Sequence, residues 1–170
     1  RYSVENQLTA EKIVNFWSAL EIEKILTDFG EEKFAKEIAR EIITSRQINP
    51  IQNTFQLVGI IKKATPVWYQ SQRIRIATRT FQALRIAVND ELNNLEKVLP
   101  QSLEVLKKDG RIIIISFHSL EDRIIKNFFK QDSLKILTKK PVTAFFQEIK
   151  INHRARSAKL RAAVKLCQPL

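Results

Sequence analysis

Three stretches of this chain gather side chains that can do chemistry. The first, Ser116-Phe117-His118-Ser119-Leu120-Glu121-Asp122-Arg123, holds two hydroxyls, an imidazole, two carboxylates and a guanidinium in eight residues. His118 is either a group that positions a base or a phosphate, or a loop histidine with its hydrogen bonds satisfied. Ser119 is a ready N-cap for a following helix, and Asp122 suits the positive end of that helix. The second, residues 152–161, alternates Arg154, Arg156, Lys159 and Arg161 with small residues, so that a phosphate chain can approach the backbone. There arginine offers bidentate contacts and lysine a point charge; the alternative is a solvated run of charge. In an extended segment Lys159 and Arg161 would share one face. The third, Ala77-Thr78-Arg79-Thr80-Phe81-Gln82-Ala83-Leu84-Arg85, opens a helix that Thr78 or Thr80 can cap, with Arg79 and Arg85 flanking an entry suited to anions.

Around these stretches the patterning predicts the elements that must hold them. The run Ile112-Ile113-Ile114-Ile115 is short, β-branched and without polar alternation, which predicts a strand buried on both faces. Asp109-Gly110 supplies a turn before it. Leu120, Ile124, Ile125, Phe128 and Phe129 follow at helical spacing, giving a strand feeding a helix, one arm of a βαβ unit. In open parallel sheets ligands bind beyond the carboxyl ends of the strands, where residues 116–122 would lie. Upstream, Thr9 caps a first helix. Ser18 and Glu21 form a capping box for a second, which Gly30 ends in the left-handed conformation. Further helices are predicted over 31–45 and 54–64, the latter stopped by Pro66, with Trp68 and Tyr69 in the loop beyond. A long helix over 80–99 carries the stripe Leu84, Val88, Leu92, Leu95 and Leu99, and Pro100 opens a continuation over 101–107. Residues 134–137 predict a short strand; 158–166 predict another, although helix also fits, and a final hairpin would close the sheet edge. The natural boundary falls in the loop 65–77, giving a helical region over 1–77 and an α/β region over 78–170.

The totals narrow the partners. The chain has 170 residues and a net charge of +11. Residues 1–106 carry 14 Lys/Arg against 13 Asp/Glu, whereas 107–170 carry 15 against 5. Such asymmetry points to a polyanion, most often nucleic acid. One cysteine, Cys167, excludes an internal disulfide framework and makes a reducing cytoplasm the expected compartment. Two histidines and one cysteine do not make a Cys/His zinc site, so no metal is expected. No run is long and apolar enough for a membrane helix, so no membrane partner is expected. The three glycines, Gly30, Gly59 and Gly110, form no phosphate-binding loop. With no methionine and Arg1 in first place, the chain is expected to be a piece of something longer or a processed product.

Longer strings carry a resemblance. Leu8-Thr9-Ala10, the run from Thr78 through Arg85 to Asn89-Asp90-Glu91-Leu92, Ser116 to Arg123, Thr138-Lys139-Lys140-Pro141, and Arg154-Ala155-Arg156-Ser157-Ala158-Lys159-Leu160-Arg161 occur in that order. Together they resemble the bacterial 16S ribosomal RNA cytosine-N4 methyltransferase family (MraW/RsmH type), over nearly the whole chain. The resemblance implies an α/β fold: the second half of a class I, Rossmann-like S-adenosylmethionine methyltransferase domain, preceded by a helical substrate-recognition insert over residues 8–66. It implies methyl transfer from S-adenosyl-L-methionine to the exocyclic amine of a cytosine that leaves its stack, in 16S ribosomal RNA or the small ribosomal subunit. Ser116, His118 and Ser119 would line the substrate side, and Arg79, Arg85, Arg123, Arg154, Arg156, Lys159 and Arg161 would hold RNA. The family's glycine-rich cofactor loop has no counterpart here, so the cofactor-binding residues are expected ahead of Arg1. Arg75-Ile76 stand where the family usually reads His-Pro. The competing expectation is a non-catalytic RNA-binding protein derived from that family.

Overall fold

The computed structural model describes residues 5–71 and 76–166; Arg75 and Cys167 lie outside them. The chain divides between Glu91 and Leu92 into two compact units.

The first unit is helical: α1 (Ala10–Phe16), α2 (Ala19–Asp28), α3 (Ala35–Ile48), α4 (Thr54–Ala64), the short α5 (Val67–Gln70) and α6 (Thr78–Asn89). Local chemistry sets the starts. Thr9 accepts from Lys12 N–H to cap α1, and Ser18 with Glu21 forms the reciprocal box on α2. Asn53 with Gln56 forms a second such box on α4. The core is aliphatic, built on Ile13, Ile22, Leu26, Ile38, Ile42 and Ile61, joined by Ala83 and Leu84 of α6. Thus α6 packs within the helical unit, and Trp68 and Tyr69 lie on a short helix rather than in a loop.

Two terminus expectations are corrected. Gly30 is not left-handed; Glu31, with φ 47°, is. Glycine stands at 30 for close approach, because a Cβ there would lie 2.6 Å from the Leu26 carbonyl oxygen and 2.9 Å from that of Arg79. Neither Thr78 nor Thr80 caps α6: Ala77 occupies that position without a side-chain bond, Thr78 is already helical, and Thr80 is fully buried.

The predicted single helix over 80–99 is broken. Asp90 adopts the left-handed conformation (φ 51°), ends α6, and α7 (Glu91–Val105) begins at the next residue. Pro100 lies inside α7 rather than opening a new helix.

The second unit, from Leu92, joins most of α7 to β1 (Arg111–Ser116), α8 (Ser119–Phe128), β2 (Leu134–Ile136), β3 (Val142–Thr143), α9 (Phe146–Ile151), a 3-10 turn over His153–Ser157 and β4 (Lys159–Lys165). Asp109 (φ 61°) makes the turn into β1. β4 is central: β1, β2 and β3 all pair with it, each antiparallel, with Ile112 opposite Ala163 and Ile115 opposite Leu160. One face of the sheet packs Ile112, Leu134 and Ala163 against Ile125 and Phe129.

The isoleucine run is a strand, but it is not buried on both faces. Ile113 and Ile115 are 61% and 54% exposed, and Phe117, next on the same face, is 53% exposed. Every strand pairing among the described residues is antiparallel, whereas a parallel arrangement was expected.

The two helical-unit glycines should respond oppositely to alanine. Gly30→Ala must displace backbone and should destabilise by about 1–3 kcal/mol. Gly59, inside α4 with open space where a Cβ would go, should gain about 1 kcal/mol as Ala. Urea unfolding of the two variants checks both signs.

Candidate nucleic-acid interface

The loop between β1 and α8 is built by capping. His118, not Ser119, is the N-cap of α8: its Nδ1 accepts from the Glu121 N–H at 3.3 Å. Glu121 completes the box, its Oε2 accepting from Phe117 N–H at 2.8 Å and from His118 N–H at 3.3 Å. Histidine displaces serine here because its ring nitrogen reaches the third helical amide while its own backbone stays extended. Occupied at Nδ1 by an N–H donor, the neutral imidazole carries its proton on Nε2. That atom is buried, 3.2 Å from Glu121 Oε1 but off hydrogen-bond geometry. A base role at Nδ1 would therefore break the cap. Burial would push the Glu121 carboxyl up, but the adjacent His118 ring and the hydrogen bonds from the Phe117 and His118 backbone N–H groups outweigh it and hold the group below its ordinary value.

Ser116 is 1% exposed, its hydroxyl 3.4 Å from the Lys159 carbonyl oxygen across the ladder. Ser119 begins α8. Of the three residues expected on the substrate side, one is thus inside the sheet, one caps the helix and one is helical.

Asp122 stands in the first turn of α8, where a carboxylate suits the positive helix end as expected, and it has a second partner. Its carboxylate accepts two bonds from Arg161, from Nε at 2.7 Å and Nη2 at 3.0 Å, and lies 3.7 Å from Lys159 Nζ. The hydrogen bond from Arg161 is the main cause of a pKa held below the usual carboxylate range; burial opposes it, and the charges of Arg161 and Lys159 reinforce it. Lys159 and Arg161 do share one face of β4, and Asp122 is what they meet there.

The seven expected RNA-binding cations therefore fall into different situations. Arg161 is buried and bound to Asp122. In the helical unit, Arg79 donates to the Glu31 carbonyl at 2.6 Å, and Arg85 binds both Glu91 carboxylate oxygens. Arg123 is exposed on α8 and has a partner of its own. Arg154 and Arg156, on the 3-10 turn, are exposed and have no ion-pair partner among the described residues. These two are free to meet an outside anion.

Sequence patterning missed a second polar cluster, in the helical unit. Tyr69 O–H donates to Glu32 Oε1 at 2.6 Å, and both residues are buried. Desolvation, helped by the Glu32 hydrogen bond and charge, pushes the Tyr69 phenol up to about 12. Phe34, Trp68 and Tyr69 meet edge to face, and Lys33 Nζ sits 5.1 Å from the Trp68 ring centre. The only signal in sequence was the Trp68-Tyr69 pair itself.

A model of the MraW methylase family matches residues 1–166. The chain belongs to the MraW methylase family. Curated relatives are similar along almost all of it: it is 45% identical to a protein of Heliobacterium modesticaldum, 48% to one of Synechocystis and 44% to one of Limosilactobacillus fermentum, each over 98% of this chain. All three are named ribosomal RNA small subunit methyltransferase H. This MraW-family chain spans 54–59% of their length.

The Asp122 pair has a pH signature. A carboxyl depressed in the folded state adds stability above its unfolded value, about pH 4, and loses it as pH falls through the lower folded value. Asp122→Asn should destabilise the chain at pH 7, and the gap to wild type should close towards pH 2; thermal unfolding across pH 2–7 checks it. Capping adds a second expectation. His118→Ala should cost about 1 kcal/mol, and His118→Asn, which restores a good cap, much less, as read by urea unfolding.

Proposed function

We propose that this chain is the RNA-recognising and second catalytic-domain portion of a 16S ribosomal RNA cytosine-N4 methyltransferase acting in the cytoplasm. The carrying observation is its identity of 44–48%, over 98% of its length, to proteins named ribosomal RNA small subunit methyltransferase H. The unpaired cations Arg154 and Arg156 support an RNA substrate, since phosphate neutralisation dominates such binding. In this reading the helical unit recognises substrate, the second unit belongs to a Rossmann-like domain, and the β1–α8 loop faces the base to be modified.

The residues present do not fit the methyl donor. S-adenosylmethionine in a Rossmann-like domain calls for a glycine-rich loop between strand and helix. Gly30 follows α2, Gly59 is inside α4 and Gly110 precedes β1. We assign the cofactor's cradle to sequence that this chain does not contain. The open face of β1 supports that assignment. Ile113, Ile115 and Phe117 put a row of large, exposed apolar side chains on one face of the strand, a surface that a further layer would cover.

The chain's own residues have a definite task in this scheme. The Glu121–His118 box fixes the direction in which the loop leaves β1, and the Asp122–Arg161 pair fixes α8 against β4. Together they hold the loop rigid while a base is presented.

The experiment has two arms. Anisotropy with a labelled single-stranded 16S ribosomal RNA fragment should give binding that weakens steeply with salt; Arg154→Ala/Arg156→Ala should weaken it about tenfold or more. Salt-independent or absent binding overturns the RNA reading. The second arm mixes this chain with the part of the Synechocystis relative that it does not cover, and assays methyl transfer from S-adenosylmethionine. Activity only in the mixture supports an enzyme portion, whereas RNA binding without activity favours the non-catalytic alternative. Calorimetric binding of S-adenosylmethionine by this chain alone overturns the assignment of the cradle.

A further inference from the structure

The Thr138-Lys139-Lys140-Pro141 motif lies between β2 and β3. Its Thr138 and Lys139 border a cavity of about 70 Å³ whose other walls come from the end of α8, from Ile136 of β2 and from Arg161 of β4. We propose that this cavity is a seat for one backbone phosphate of a polynucleotide, separate from the Arg154/Arg156 turn. The proposal rests on the RNA-binding reading and adds a defined site to it.

Size decides the class of occupant. The cavity is several times the roughly 10–15 Å³ needed by one water. It is far below the roughly 300 Å³ at which small-molecule sites begin. One tetrahedral oxyanion fits; a nucleoside does not.

The lining decides the sign of its charge. Lys126, Lys130, Lys139 and Arg161 all border the cavity, and no carboxylate does. Lys126 and Lys139 are exposed and have no ion-pair partner among the described residues. Lys130 spends one donor on Asn127 Oδ1 at 3.3 Å. Asp122 takes two of the five N–H donors of Arg161, leaving three. Thr138 Oγ1 accepts from the Ala162 N–H at 2.9 Å, which leaves its own hydrogen to donate. Buried Phe129 closes the floor without competing for the ligand. Three of these cations, Lys126, Lys130 and Lys139, have no carboxylate partner among the described residues and repel one another, and a phosphate relieves that repulsion while accepting from several donors at once.

The test is a salt titration of RNA binding by the whole chain, read by anisotropy with the same labelled single-stranded fragment. Lys126→Ala/Lys139→Ala removes two exposed, unpaired side chains, so the fold should survive, as circular dichroism will check. Lys107→Ala/Lys108→Ala removes the same charge from exposed positions before β1. The cavity variant should weaken binding about tenfold and lower the slope of log affinity against log salt by about 0.7, one single-strand phosphate. The control should leave the slope unchanged. Equal effects from both variants would reduce the cavity to general charge and overturn the proposal. Calorimetry with inorganic phosphate separates the sources: tight uptake of the free ion, with an unchanged RNA slope in the cavity variant, would make it a small-anion site and also overturn it. If wild-type chain binds no RNA, the broader functional reading fails; if it does and the cavity variant matches wild type, only this site fails.

Discussion

The Asp122–Arg161 pair joins the helix that follows β1 to the central strand β4, two segments 39 residues apart in sequence. Its bidentate geometry and low exposure, 13% and 8% for the two side chains, make it more than a surface contact. A guanidinium on a buried sheet face is tolerable only when a carboxylate meets it there. Because β1, β2 and β3 all pair with β4, whatever holds α8 to β4 also sets where the β1–α8 loop and the 138–139 turn can lie. The loop's direction, the cavity's walls and the orientation of the basic turn therefore share one anchor.

Much of the fold was legible in sequence because it is written locally. Thr9, Ser18 with Glu21, and the β-branched run at 112–115 each carry their instruction within a few residues, and each forms the predicted element. What could not be read depends on distant neighbours. The role of Gly30 is set partly by the distant carbonyl of Arg79, beside the local one of Leu26, and the break at Asp90 interrupts an apolar stripe that is continuous in sequence. The site was less legible than the fold. Ser119 was the expected cap and His118 holds that place, because only the backbone path decides between an imidazole nitrogen and a hydroxyl. Asp122 is the helix-end charge it looked like, but its pair with Arg161 could not be read because Arg161 is invisible from its own helix.

The same sorting applies to charge. A count of basic residues in the second half treats Arg161 like Arg154, yet one is buried in an ion pair and the other is exposed on the turn. The cations available to an outside anion are those the fold does not consume. That set includes Lys126 and Lys139, which no motif of alternating charge would pick out.

The outer edge of β1 has one more consequence. Among the described residues β1 is hydrogen-bonded only to β4, so its other side presents unsatisfied backbone groups beside exposed isoleucines. Such an edge is a template for self-association and amyloid-like stacking, and natural sheets defend it with charge, proline or distortion. Here Arg111 alone guards the start of the strand, so the protein's colloidal behaviour, at high concentration or during synthesis, hinges on how soon that edge is covered.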